Sequence, residues 1–222
     1  MWGQDNADDA LLLAETLATR LCHDLSGQLN ALVGAVEMMR EDPQLTDEAA
    51  SLAQDAGEAM VRRLRLVRAA WGSGCTAMSV DELCGLLSGV FGRHLRLDLA
   101  GLAKAGAFSP SAARLTLNVL LLAAESLPAG GVVAVAGDPE QDLVVRIDGP
   151  RAAWPPGLAG MLADPADART CLRDCDGIAA ARVLQAPLTA LIAHAAGLRL
   201  ALLLGPATEA APPLLVALNK PH

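Results

Sequence analysis

Residues 8–40 contain no proline, and their apolar side chains Leu13, Leu17, Leu21, Leu25, Leu29, Leu32, Val36 and Met39 recur every three or four positions. That spacing gathers them on one side of a helix and predicts a single long amphipathic α-helix. Asp8 and Asp9 stand near its start, where carboxylates suit the positive end of the helix dipole. The run Arg40-Glu41-Asp42-Pro43 breaks it, and Thr46 then offers an N-cap with Asp47 and Glu48 in the following turn. A second helix of the same period runs through Leu52, Ala56, Met60, Leu64, Val67 and Trp71. So short a connection makes the two helices antiparallel neighbours. A lone hairpin leaves much of each apolar stripe wet, so two hairpins are expected to pair as a dimeric four-helix bundle.

Gly72-Ser73-Gly74 reads as a linker, after which the pattern changes. Val80 to Phe91 is expected to be helical, and Leu95-Arg96-Leu97-Asp98-Leu99 alternates as a strand does. Ser109-Pro110 is a cap followed by proline at the first helical position, opening a helix through Leu127. Val132 to Ala136 and Leu143 to Asp148 read as a hairpin around Gly137-Asp138-Pro139. The proline-rich stretch from Gly149 to Pro165 reads as loop and short helix, Ala186 to Ala196 as a last helix, and Leu198 to Leu204 and Leu214 to Leu218 as two closing strands. The fold class expected is α+β, in two modules: a helical hairpin over residues 1–72, then a domain over residues 75–222 whose antiparallel sheet carries its helices on one face.

Composition narrows the partners. The formal charge is −8 at pH 7, which argues against nucleic acid, since phosphate binding needs a basic patch. The one basic concentration, Arg62-Arg63-x-Arg65-x-x-Arg68, sits on the second helix and reads as a solvated face. The apolar stretch Val183 to Leu198 is interrupted by Pro187 and too short for a membrane span. The acidic start, WGQDNADD, lacks the basic region of a signal peptide, so a cytoplasmic location is expected. Five cysteines at these spacings form no zinc cluster and read as buried reduced thiols, with no metal and no cofactor expected.

At about 100° per residue, the stripe Leu17, Leu21, Leu25, Leu29, Leu32 and Val36 lies within about 70° of the point opposite His23. His23 is therefore expected to face solvent. Its own face carries Thr19, Ser26, Gly27, Asn30, Gly34 and Glu37, mostly small or polar. Two glycines inside an exposed helix each cost about 1 kcal/mol against alanine, which points to a closely docking partner over Ser26, Gly27 and Asn30. A neutral imidazole can attack phosphorus through one ring nitrogen. Asp24 could accept the proton on the other nitrogen, fixing the tautomer. Taken locally, the same pair is also what a solvated histidine beside a solvated aspartate would give.

The segment Leu21-Cys22-His23-Asp24-Leu25-Ser26-Gly27-Gln28-Leu29-Asn30-Ala31-Leu32 resembles the H-box of two-component histidine kinases, in which an exposed histidine followed by an acidic residue lies on the first helix of a dimeric hairpin. Within that class the layout is most similar to the ChpT-type histidine phosphotransferases, which resemble a kinase with a degenerate nucleotide domain. Gln28 stands where kinases usually carry proline, and Gly27 where many carry the threonine or asparagine that supports phosphatase activity. Both departures weigh against autokinase and phosphatase roles.

The resemblance implies that residues 75–222 form a degenerate kinase-like ATPase α/β sandwich. By that resemblance the helix from Ser109 should carry a magnesium-binding asparagine, and the position falls on Ala123. Asn118 lies five residues earlier and roughly 140° around the helix, so it reads instead as a hydrogen-bonded polar group. Ile147-Asp148-Gly149-Pro150 has a single Asp-Gly and no second glycine, which is a common turn. The tract from Trp154 to Pro156 is a poor mobile lid.

The function implied is a relay without ATP. A phospho-aspartate on the receiver domain of a hybrid histidine kinase donates to His23, which donates to the receiver of a response regulator. The magnesium then belongs to the receivers. The alternatives are an active or atypical histidine kinase, and a non-catalytic dimeric adaptor.

Overall fold

The computed structural model describes residues 4–92, 94–103, 105–175, 177–204 and 211–219. The outer ends of the two expected modules, residues 1–3 and 220–222, lie outside the described residues.

Helix α1 spans Gln4–Glu41 and α2 spans Thr46–Trp71, packed as the antiparallel hairpin the two periodic runs predict. The turn differs from expectation. A short 3-10 turn, Pro43–Leu45, intervenes, and Asp42 caps it by accepting from the Gln44 amide at 2.9 Å. Thr46 is already helical and its hydroxyl donates to the Pro43 carbonyl, so it does not act as N-cap. Proline at the first position of the turn starts the helical geometry three residues early.

After the linker come β1 (Met78–Ser79), α3 (Val80–Leu87), β2 (Leu95–Leu102), β3 (Ala107–Phe108) and α4 (Pro110–Glu125). Then follow β4 (Gly131–Gly137), β5 (Asp142–Asp148), α5 (Leu158–Ala163), α6 (Pro165–Arg173), α7 (Gly177–Val183), α8 (Gln185–Ala196), β6 (Arg199–Leu202) and β7 (Leu214–Ala217). Ser79 and Glu82 form a reciprocal capping box on α3, and Ser109 caps α4 through the Ala112 amide. Gly197, at φ 67°, ends α8 in the left-handed conformation that an L side chain resists. Three expectations shift. The α3 helix stops at Leu87 rather than Phe91, and α4 at Glu125 rather than Leu127. Helices α6 and α7 occupy a stretch that the sequence pattern left unassigned.

Five strands form one sheet in the order β2-β4-β5-β7-β6, and β1 pairs separately with β3. The large sheet is mixed rather than wholly antiparallel, because β2 and β4 run parallel while the other neighbours run antiparallel. The reason is topological: α4 lies between β2 and β4, and a helical crossover returns the chain in the same direction. One face of the sheet, with Val133, Val135, Leu143, Val145, Leu200, Leu214 and Val216, is buried against the helices as expected.

Helix α4 is apolar nearly all round and buried nearly all round, from Ala112 through Ala123. It also holds the hairpin. Carbonyls at a helix C-terminus have no partner within the helix. Arg114 donates to the last carbonyls of α2, Ala70 at 3.2 Å and Trp71 at 3.0 Å, and Asn118 Nδ2 donates to Ala70 at 2.7 Å. Leu66 and Ala70 enter the core of the sheet domain, with Leu12, Leu13 and Leu17 of α1 packed against it. Near the start of α1, Asp9 pairs with Arg173 of α6 at 2.6 Å. The base of the hairpin is thus anchored while its far end projects.

Candidate functional site

Leu12, Leu13 and Leu17 pack against the core of the C-terminal half. At about 100° per residue His23 points within about 20° of Leu12, so it lies on the same side of α1, past the end of that packing, with 65% of its side chain exposed. Thr19, Arg20 and His23 form one wall of a cleft of about 290 Å³ whose other wall is Glu125 at the end of α4 and Ala181 and Arg182 of α7. Ser26 is exposed and donates to the Cys22 carbonyl at 2.6 Å, and Asn30 is exposed. A Cβ at Gly27 or Gly34 would meet nothing within 4 Å, so packing inside this chain does not require either glycine.

Asp24 behaves differently from a solvated neighbour. Only 12% of its side chain is exposed, and it lies among cations. Arg20 Nε donates to its two oxygens at 3.0 and 3.1 Å, and Arg63 Nη2 of α2 donates to Oδ2. Burial disfavours the charge, but the Arg63 hydrogen bond and charge, with those of Arg20, outweigh it and hold the carboxyl below its ordinary value of 3.8. Toward His23, Asp24 Oδ1 stands 3.5 Å from Nδ1, the outer limit of a hydrogen bond.

Arg20 continues the network into the C-terminal half. Its Nη1 donates to the Ala181 carbonyl at 2.9 Å and its Nη2 to Glu125 Oε1 at 2.6 Å. Burial pushes the Glu125 carboxyl above its ordinary range; Arg20 opposes this and the nearby Asp24 charge adds to it. Burial also works against the Arg20 charge, and Glu125 and Asp24 more than restore it. Four elements, α1, α2, α4 and α7, therefore meet one turn before His23.

Sequence reasoning placed His23 and its exposed face but missed Arg20, Arg63 and Glu125. Arg20 and Asp24 are spaced i, i+4, a signal for a helical ion pair. The reading of the arginine run as a solvated face fails at Arg63, which points inward to Asp24; Arg65 and Arg68 are exposed, and Arg62 pairs with Glu58 on the surface. The five cysteines are free thiols, but none is buried: Cys22 is exposed beside His23 and the rest are half-buried.

The expected nucleotide features resolve plainly. Ala123 is wholly buried. Asn118 is a buried hydrogen-bonding hub, as its place on the helix predicts: besides bonding Ala70 it donates to Arg114 O and accepts from Gln185 Nε2 at 3.0 Å. At Gly149 a Cβ would come within 2.4 Å of the Gly130 carbonyl, so this glycine serves a close backbone approach. Trp154 is pinned by its indole N–H to the Pro212 carbonyl at 2.7 Å.

The family profile described as histidine phosphotransferase C-terminal domain matches residues 80–208, more than half of the 222 residues. The chain belongs to the histidine phosphotransferase family. It is similar to the protein phosphotransferase ChpT of Brucella abortus (strain 2308), with 27% identity over 154 residues, 66% of this chain and 72% of that protein. A solved bacterial phosphotransferase has the same fold: TM-score 0.66, 21% identity, covering 93% of this chain and 95% of that one. The H-box resemblance thus leads to the right family, and phosphotransfer is the function that family membership carries. This chain combines long N-terminal helices with a mixed five-stranded sheet.

Proposed function

We propose that the chain relays a phosphoryl group between receiver-domain aspartates through His23, as a cytoplasmic homodimer and without using ATP. The observation that carries this reading is an exposed imidazole at the rim of a cleft, beside an ionised aspartate that is itself fixed in place. With Nδ1 turned toward Asp24, Nε2 is the nitrogen left to attack. Its lone pair forms the N–P bond as the P–O bond to the receiver aspartate breaks, and that carboxylate leaves with the electron pair. Asp24 supports the Nδ1 proton and the charge of the phosphoimidazole. The second transfer reverses these steps on another receiver. Catalysis then consists of in-line positioning and charge neutralisation, with magnesium supplied by the receiver.

Ser26, Gly27, Asn30 and Gly34 would form the floor on which a receiver docks. Their small or polar side chains, and the open space over both glycines, fit close approach of a second protein. Dimerisation is supported by half-exposed apolar side chains on the projecting part of the hairpin, Leu29, Val33 and Val36 of α1 with Val61 and Leu64 of α2. An ATP-independent role is supported by Ala123, which offers no ligand to magnesium, and by the pinned Trp154. A cytoplasmic site of action fits a chain in which no described helix is long and apolar enough to cross a membrane.

The test uses two labelled donors, ATP and a phosphorylated receiver domain. Acid-labile, base-stable label from the receiver and none from ATP is the expected result. Label from ATP alone would overturn the relay and establish a kinase.

A further inference from the structure

Asp24 Oδ1 stands 3.5 Å from His23 Nδ1, and the geometry of Asp24 is not set by α1 alone. Both of its oxygens face the Arg20 guanidinium, whose remaining bonds go to the C-terminal domain: Nη2 to Glu125 Oε1 at 2.6 Å and Nη1 to the Ala181 carbonyl at 2.9 Å. A guanidinium is a rigid planar fork, so fixing two of its nitrogens fixes the third. The Asp24 to His23 contact at 3.5 Å is at the limit of a hydrogen bond, where a few tenths of an ångström decide whether the bond forms.

We infer that Glu125 is a positioning residue for phosphotransfer: through Arg20 it holds the Asp24 carboxylate against His23 Nδ1, so the C-terminal domain sets the tautomer of the histidine in its own chain. This rests on the reading of His23 as the phosphoacceptor. The chemistry is simple. An Nδ1–H held toward a carboxylate leaves Nε2 with its lone pair free, whereas the opposite tautomer protonates the attacking nitrogen. Free imidazole favours neither arrangement strongly, so a small positional bias is enough to change the reactive fraction. Glu125 lies at the far wall of the cleft with 33% of its side chain exposed, and it makes its ion pair with Arg20 rather than with the imidazole.

The experiment compares wild type with Glu125→Ala, Glu125→Gln and His23→Ala in phosphoryl uptake from a phosphorylated receiver domain. Long-range ¹H–¹⁵N spectra of the full chain report the His23 tautomer in the first three. Glu125→Ala is expected to lower kcat about tenfold with KM within about twofold, the scale of a modest misplacement of a reacting group, and to move His23 away from the Nδ1–H tautomer. Glu125→Gln keeps an acceptor oxygen for Arg20 and is expected to recover most of the rate and the wild-type tautomer. Wild-type kcat and tautomer in Glu125→Ala would overturn the inference, as would a rise in KM alone, which would make Glu125 a docking residue. Uptake surviving in His23→Ala would instead overturn the phosphoacceptor reading itself.

Discussion

Helices α1 and α4 are both rich in leucine and alanine, and they do opposite work. Helix α4 buries Ala112, Ala113 and Leu115 through Ala123, between the sheet and the ends of α2 and α8. Among the described side chains of α1, only Thr16 and Ala35 are fully buried, while Leu29, Val33 and Val36 stay about half exposed. The difference lies in which face carries polar groups. On α4 the polar residues Arg114 and Asn118 are spent on holding α2. On α1 Arg20 and Asp24 tie one turn to the rest of the molecule, and Ser26, Gly27 and Asn30 beyond them are exposed. One helix holds this chain together, and the other carries the surface that the proposed relay would use.

Substitutions can break that contrast. Leu117→Ala in α4 should have the largest effect on folding, a loss of about 2–5 kcal/mol in chemical denaturation. Leu29→Ala on α1 at low protein concentration should cost well under half of that. Equal losses would mean that α1 is as deeply committed to the fold as α4.

Asp24→Asn comes next. It removes a charge held by Arg63 and Arg20, with an expected loss of about 1–3 kcal/mol at neutral pH. Because the folded carboxyl sits below 3.8, its contribution is fully present above the ordinary value and disappears as pH falls through the lower folded one. Thermal melts should therefore show a constant gap between variant and wild type from neutral pH down to about pH 5, closing below about pH 4. A gap that widened in acid would contradict the assignment.

The smallest effect on folding sharpens the contrast most. The double substitution Val33→Glu with Val61→Glu should change stability of the isolated chain by less than about 0.5 kcal/mol, yet abolish self-association in sedimentation equilibrium. A wild-type chain that is already monomeric at all concentrations would remove dimerisation from the proposed function.

The hairpin, the capped α4 and the β4–β5 pair were legible because each carries its own local code: a 3.6-residue period, Ser109-Pro110, and a turn at Gly137. Helices α6 and α7 were not. They are short, and α7, Gly-Ile-Ala-Ala-Ala-Arg-Val, has too little length to show a period. The exposed position of His23 followed from rotation about one helix axis. Its surroundings did not, because Arg20, Asp24, Arg63 and Glu125 come together only when α2, α4 and α7 pack against α1. Sequence shows an i, i+4 pair; it does not show a carbonyl at Ala181 or a carboxylate 105 residues away. The direction of β2 against β4 was likewise hidden until α4 was seen as a crossover between neighbouring strands.

The most direct test of the account is to locate the phosphate. The chain has four histidines, and His94 is also exposed, while His194 is engaged by its Nε2 with the Met161 carbonyl at 3.0 Å. Tandem mass spectrometry under alkaline conditions, after transfer from a phosphorylated receiver domain, should find phosphohistidine on the peptide carrying Leu21-Cys22-His23-Asp24 and nowhere else, and no phosphate at all in His23→Ala. Phosphate on His94, or undiminished uptake by His23→Ala, would contradict it.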